Sequence, residues 1–104
     1  MDKATAFDHV RQYADLVRRH FDVRSIVLFG SYASGSQRED SDIDVAVVLD
    51  RLVDDWLTSA AKLYKLTRDI DLSIEPIILQ PDHDNSGFLA HVLETGEVIY
   101  SRDA

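Results

Sequence analysis

The stretch LFGSYASGSQREDSDIDVAVV, residues 28–48, decides the fold of this 104-residue chain. An apolar run stops at Gly30-Ser31, a polar loop follows, and Asp42 and Asp44 open a second apolar run. Short apolar runs bounded by turn residues are typical of strands that are buried on both faces. Side chains alternate between the two faces of a strand, so Asp42 and Asp44 should project from the same face. The stretch therefore predicts two strands, a loop between them, and a pair of carboxylates on one face.

These residue types suit the binding of phosphates and metal ions. Two carboxylates at this spacing can share hard cations such as Mg²⁺, as they do in two-metal phosphoryl-transfer sites. A short helix is predicted to start at Ser31, and its backbone N–H groups, the bare Gly30 backbone and the Ser31 hydroxyl could all approach phosphate oxygens. The alternative is structural, because Gly-Ser is a common tight turn and acidic residues commonly precede strands. The residues alone leave both interpretations open.

Two other motifs are excluded by single residues. Gly30 and Gly35 have the spacing of a Walker P-loop, but Ser36-Gln37 stands where that loop requires Lys followed by Ser or Thr. A nucleophile elbow needs Gly two residues before its Ser, and neither Ser31 nor Ser34 has one.

The remaining chain predicts an α/β domain. Apolar residues spaced by three and four predict helices, and runs of β-forming residues predict strands. The predicted helices span residues 2–20, 53–68 and 87–95, the predicted strands span residues 25–29, 42–49, 71–79 and 98–100, and residues 81–86 form a loop. We therefore expect one layer of sheet with helices packed on it, as a single domain over residues 1–104.

Four residues carry more specific structural expectations. Pro76 cannot donate a ladder hydrogen bond, which favours an edge strand or a bulge. Gly96 is placed to be the C′ residue of the last helix. Trp56 and Tyr64 lie on the apolar stripe of the second long helix and are expected in the core.

The amino-acid composition excludes several classes of function. The chain has 19 Asp and Glu against 11 Lys and Arg, a formal net charge of -8, which opposes binding to long nucleic acids. It has no Cys, so disulfides and thiolate zinc sites are excluded, and its four His form no ligand pair at i, i+4. No run approaches the ~18 apolar residues of a membrane span, and we expect a cytoplasmic protein without membrane contact.

Gly30-Ser31, ten residues, and then Asp42-Ile43-Asp44 resembles the Gly-Ser-x10-Asp-x-Asp signature of the polymerase-β-like nucleotidyltransferase superfamily, and specifically its minimal nucleotidyltransferase members. Gly35 and Ser41 also match what those members usually show. Ser34 departs from the pattern, because the family often has Arg before the second Gly. The resemblance covers essentially the whole chain in element order and implies the nucleotidyltransferase fold, a small mixed sheet with helices packed on it.

The resemblance also implies a chemistry. Asp42 and Asp44 would hold two Mg²⁺ ions, Gly30 and Ser31 would bind the phosphates of ATP or another nucleoside triphosphate, and a nucleoside monophosphate, expected to be AMP, would be transferred to a hydroxyl. The resemblance further implies a third carboxylate on a neighbouring strand, which would bind the metal ion nearer the acceptor and help to deprotonate the acceptor hydroxyl. Glu75 is preferred because apolar residues flank it, whereas Asp71 is the alternative and could be a turn residue.

Minimal nucleotidyltransferases of this size resemble the antitoxin half of two-component modules. In those modules an all-helical HEPN ribonuclease toxin is bound and, in some systems, adenylylated on a Tyr by the antitoxin. The resemblance thus implies a HEPN-type partner and a protein adenylyltransferase. Two alternatives remain: an idle antitoxin that neutralises its partner by contact, and a homodimeric nucleotidyltransferase that acts on a small molecule.

Overall fold

The computed structural model describes residues 1–103 as a four-stranded sheet with helices on both faces. The elements in chain order are α1 (Lys3–His20), β1 (Ser25–Phe29), α2 (Ser31–Ser34), β2 (Ile43–Val48), α3 (Trp56–Thr67), β3 (Ile74–Leu79), a 3₁₀ turn (Pro81–His83), α4 (Phe88–Thr95) and β4 (Glu97–Ser101). The strand order is β3-β2-β1-β4, with β2 and β3 parallel and the other two pairs antiparallel. The predicted α/β class is confirmed.

The two faces of the sheet are covered unequally. The face with Ile43, Val45 and Val47 of β2 packs against α1 and α3 and contains most of the buried core. The opposite face has a smaller cluster in which Val92 of α4 packs on Val27 and Ala46. We call this second side the α4 face, and the paired residues Asp44 and Glu75 lie on it.

Side-chain caps explain where two elements begin. The Asp55 carboxylate accepts a hydrogen bond from the Thr58 amide at 2.7 Å, so α3 begins at Trp56 rather than at the predicted Val53. The Asp71 carboxylate accepts one from the Ser73 amide at 2.8 Å and forms a turn, so β3 begins at Ile74 rather than at residue 71.

The expectation that Trp56 and Tyr64 belong to the core is wrong. Their exposed fractions are 56% and 50%, whereas the buried residues of α3 are Ser59, Leu63 and Thr67. The buried face of α3 thus combines one large apolar residue with two weakly polar ones, and the Thr67 hydroxyl is satisfied because it donates to the Tyr64 carbonyl at 2.6 Å. The larger apolar stripe of α3 therefore faces outwards.

Two smaller predictions have opposite outcomes. Pro76 lies in β3, which is an edge strand as predicted. Gly96 does follow α4, but its φ of -86° is not the left-handed conformation of a C′ glycine. Glycine is needed there for close approach instead, because a Cβ would lie 2.6 Å from the Val92 carbonyl oxygen and 2.8 Å from that of Leu28. Among residues 1–103 no helix is long and apolar enough to cross a membrane.

Candidate active site

Strand register places three side chains in one row across the α4 face. The parallel pairing of β2 with β3 aligns Asp44 with Glu75, and the antiparallel pairing of β1 with β2 aligns Phe29 with Asp44. Residues paired in this way point to the same face. Asp42 lies two residues before Asp44 and is exposed beside the start of β2. The carboxylates of Asp42, Asp44 and Glu75 therefore lie together at the site, at the end of the sheet where β2 begins.

Two of the three carboxylates, Asp44 and Glu75, have pKa values raised by their surroundings. Burial raises the pKa of Asp44, and the nearby charge of Asp42 raises it further. Burial also raises the pKa of Glu75, followed by the charges of Asp42 and Asp44 and by a hydrogen bond with Asp42. None of the three takes part in an ion pair within residues 1–103. This uncompensated negative charge is what a bound cation would neutralise.

Gly30 packs directly on this cluster. It has φ 75° and ψ -150°, a combination essentially restricted to glycine. A Cβ built on Gly30 would overlap Asp44 Oδ2 and would lie 3.1 Å from Asp44 Cγ. The backbone of Gly30 and the carboxylate of Asp44 thus form adjacent walls of the site, and no side chain can be placed between them.

Hydroxyl groups close the loop that joins α2 to β2. Ser34 Oγ lies 2.8 Å from Ser36 Oγ and donates to the Ser31 carbonyl at 3.2 Å. Ser41 Oγ accepts from the Arg38 amide at 2.7 Å, one residue before Asp42. Ser34, the residue that departs from the family pattern, therefore stabilises the loop through local hydrogen bonds.

Asp71 lies apart from the row. Its carboxylate is 2.8 Å from His9 Nδ1 of α1 and accepts from the Ser73 amide. Burial raises the pKa of Asp71, but these hydrogen bonds outweigh burial and hold the pKa below its ordinary value. The structure thus ties Asp71 to α1 and places Glu75 beside Asp44.

The acidic pair is chemically suited to Mg²⁺. Within residues 1–103, no three His, Cys, Asp or Glu side chains form a ready-made metal cage. Mg²⁺ usually binds through one or two carboxylates together with substrate phosphates and water, so a complete protein cage is not required. Asp42 and Asp44 offer oxygen ligands without a competing cation, which is the donor chemistry that this ion prefers.

An aromatic pair borders the site and was not predicted. The rings of Phe29 and Phe88 meet edge to face, with centroids 5.8 Å apart and planes at 83°. Strand alternation could have placed Phe29 beside Asp44, but no local signal shows that the first residue of α4 returns to it. That contact depends on how α4 packs across the sheet.

Comparisons with known proteins identify the family of this chain. Residues 11–104 match the family described as Polymerase beta, Nucleotidyltransferase. A Methanocaldococcus jannaschii protein named "Putative protein adenylyltransferase MJ0604" is 38% identical over 79 residues, which cover 75% of this chain and 79% of that protein. The match to a second protein of the same organism, named likewise with the suffix MJ1379, is 46% identical over 41 residues and spans 39% of this chain and 41% of that protein.

Solved structures share the fold. A toxin-antitoxin complex with AMP-PNP contains a chain that is 26% identical with a TM-score of 0.69, covering 88% of this chain and 73% of that one. The complex of a tri-AMPylated Shewanella oneidensis HEPN toxin with an MNT antitoxin gives 20% identity and a TM-score of 0.64, covering 97% and 74%. The chain belongs to the Polymerase beta nucleotidyltransferase family, and the predicted fold and enzyme class, a nucleotidyltransferase, are confirmed.

Proposed function

We propose that this chain is a Mg²⁺-dependent protein adenylyltransferase that transfers AMP from ATP to a tyrosine hydroxyl of a HEPN-type toxin and acts as its antitoxin. One observation carries the catalytic part: Glu75 and Asp44 are paired across β2 and β3, with Asp42 beside them, on a face where Gly30 leaves backbone uncovered. The relative named as a protein adenylyltransferase and the related complex with AMP-PNP support ATP as the donor.

Asp42 and Asp44 would hold the two Mg²⁺ ions. When bound, Mg²⁺ supplies charge neutralisation for the triphosphate and for the leaving pyrophosphate. Gly30 has no side chain, so phosphate oxygens can approach its backbone, and the partly exposed Ser31 offers a hydroxyl donor beside it. These residues fix the donor by position and charge, which is how most of the rate enhancement arises in phosphoryl transfer.

Glu75 is suited to act as the general base. The acceptor oxygen forms a bond to the α-phosphorus, the bond between that phosphorus and pyrophosphate breaks, and the hydroxyl proton passes to Glu75. Its register position beside Asp44 and its exposure on the edge strand suit Glu75 to accept that proton. Asp71 has no part in this step, because it is held by His9 on α1.

The acceptor has to come from another molecule. Glu75 lies on the edge strand β3 and is exposed, so the row is open on that side. The related toxin-antitoxin complex with AMP-PNP supports a toxin as the molecule that enters there.

An exposed apolar stripe on and just before α3 supports a protein partner. It consists of Val53, Trp56, Leu57 and Tyr64, with exposed fractions of 98%, 56%, 73% and 50%. Contiguous apolar patches of this kind commonly mark protein interfaces. We assign this α3 stripe to the contact with the toxin.

The function is tested with a HEPN-type helical protein as the partner, the first candidate being one encoded next to this chain. Wild-type protein, Mg²⁺, ATP and the partner are incubated, and the intact mass of the partner is measured. We expect a gain of one or more AMP units that is lost with Asp42→Asn and Glu75→Gln but kept with Asp71→Asn.

Three other results would contradict the proposal. If Asp42→Asn transferred AMP at the wild-type rate, the carboxylates would have no part in the mechanism. A stable complex without a mass gain would show an antitoxin that acts by contact. A homodimer that does not bind the partner but adenylylates a small molecule would identify the chain as a homodimeric small-molecule nucleotidyltransferase.

A further inference from the structure

We propose that Phe88, supported by Phe29, is the platform on which the base of the nucleotide stacks. This inference rests on the proposed function, because it locates the nucleoside of a donor whose phosphates lie at Gly30. It goes beyond that function by assigning a base site to residues outside the acidic motif and by predicting which nucleotides are accepted.

The position of the aromatic pair follows from the sheet. Phe29 is aligned with Asp44 across β1 and β2 and is packed with the cluster on the α4 face. Phe88 lies edge to face against Phe29 at 5.8 Å. Strand pairing gives the order Glu75, Asp44 and Phe29 across that face, and Phe88 contacts Phe29. The carboxylates therefore have the exposed edge strand β3 on one side, where an acceptor can enter, and Phe29, the ring that Phe88 contacts, on the other.

The local structure holds Phe88 in place while leaving it accessible. Asp84 caps α4, since its carboxylate oxygens accept from the amides of Leu89 at 2.8 Å and Ala90 at 3.2 Å. Gly87 enters the helix with φ 77°, a left-handed conformation that favours glycine. Leu89 is buried, whereas Phe88 remains 40% exposed. A ring that is fixed at its backbone and open to solvent is suited to stacking on a planar ligand.

The chemistry of the platform predicts its specificity. Stacking on an aromatic ring is tolerant of base identity, because every base has a π face. A phenyl ring has no hydrogen-bonding group with which to distinguish the edges of adenine and guanine. ATP and GTP should therefore bind with similar affinity, and both should bind more tightly than CTP and UTP, whose single rings cover less of Phe88.

The decisive experiment separates the base from the phosphates. Binding of MgATP and of magnesium tripolyphosphate is measured by calorimetry for the wild type, Phe88→Ala and Phe88→Trp. Leu93→Ala is the matched control, because Leu93 lies on the same helix and is 45% exposed but is outside the aromatic pair. Circular dichroism checks that each variant is folded.

We expect Phe88→Ala to weaken the binding of MgATP by about 5- to 150-fold, the range for one base stacked on an aromatic ring, and to leave the binding of tripolyphosphate unchanged. Phe88→Trp should retain MgATP binding, and Leu93→Ala should match the wild type. Equal loss of both ligands, unchanged MgATP binding by Phe88→Ala, or the same loss in Leu93→Ala would each overturn the platform.

Failure of this inference differs from failure of the proposed function. Wild-type protein that binds tripolyphosphate but binds MgATP no more tightly would remove only the base platform. Wild-type protein that binds neither ligand would refute the donor site itself, and the platform with it.

Discussion

Gly30→Ala tests the site more sharply than removal of a carboxylate, because it adds only one methyl group. An alanine at φ 75°, ψ -150° carries backbone strain of about 1–3 kcal/mol. For a domain of this length that free energy lowers the melting temperature by roughly 4–20 °C. Small domains typically have ~5–15 kcal/mol of stability, so the variant should remain folded at 25 °C.

The added methyl group also displaces the carboxylate of Asp44, which is proposed to be catalytic. It overlaps Asp44 Oδ2, and the carboxylate must move by about 1 Å to restore ordinary contact, a misplacement that can cost on the order of 100-fold in rate. Gly35→Ala is the matched control, since Gly35 has φ 80° but its Cβ would meet nothing within 4 Å. Gly35→Ala should lower the melting temperature and keep AMP transfer.

Both quantities are measured on the same samples. Thermal unfolding is followed by circular dichroism, and transfer is followed by the intact mass of the partner against time at 25 °C. If Gly30→Ala transferred AMP at the wild-type rate, or if Gly35→Ala lost transfer to the same extent, the close approach of Gly30 to Asp44 would have no catalytic importance.

Three further predictions concern charge and the partner surface. Asp44→Asn should raise the melting temperature of the metal-free protein at pH 7, because the pKa of Asp44 is raised in the folded chain and the ionised carboxylate therefore opposes folding. The difference in melting temperature between variant and wild type should grow as the pH rises above the ordinary carboxyl pKa of 3.8 and vanish below it. Mg²⁺ should stabilise only the wild type. Asp71→Asn should lower the free energy of unfolding by about 1.5–3 kcal/mol at pH 7, the range for hydrogen bonds to a charged group. The pKa of Asp71 is lowered in the folded chain, so this stabilisation is present at pH values above the ordinary carboxyl pKa and is lost as the pH falls through the folded-state pKa. Equal urea midpoints at pH 7 would contradict this prediction. Trp56 is the only Trp, so its fluorescence should shift to shorter wavelength when the partner binds, and Trp56→Ser should weaken the complex at least tenfold in titrations where Leu72→Ser, exposed but outside the stripe, does not.

Local chemistry made the first half of the site predictable. β1 occupies Ser25–Phe29 as predicted. The run from Gly30 to Asp44 carries three local signals, which are a chain reversal, a polar loop and the alternation of side chains along a strand. These features depend on neighbouring residues, so a single sequence is enough to identify them. The position of Glu75 beside Asp44 could not be predicted from local signals, because it depends on the register of two parallel strands that are joined by a crossover helix.

The outward stripe of α3 shows what sequence reasoning could not decide. The exposed set Trp56, Leu57 and Tyr64 and the buried set Ser59, Leu63 and Thr67 both recur with helical spacing, and hydrophobicity favours burial of the first set. Packing favoured the second set, in which the Leu63 carbonyl accepts a hydrogen bond from the Tyr13 hydroxyl of α1 at 2.8 Å. The choice depends on shape and on satisfied hydrogen bonds, and neither is visible before the helix is docked.

The fold separates the residues that stabilise the chain from those proposed to act. The larger core lies between the sheet and the pair α1 and α3, whereas Asp44 and Glu75 project from the opposite face. Mutual repulsion of the carboxylates lowers the free energy of unfolding locally, and the larger core offsets this loss. A bound ligand that neutralises the charge would remove the repulsion. Substitution of a site carboxylate should therefore abolish transfer without unfolding the protein. The same separation puts the exposed stripe of α3 on the other side of the sheet from the proposed nucleotide site.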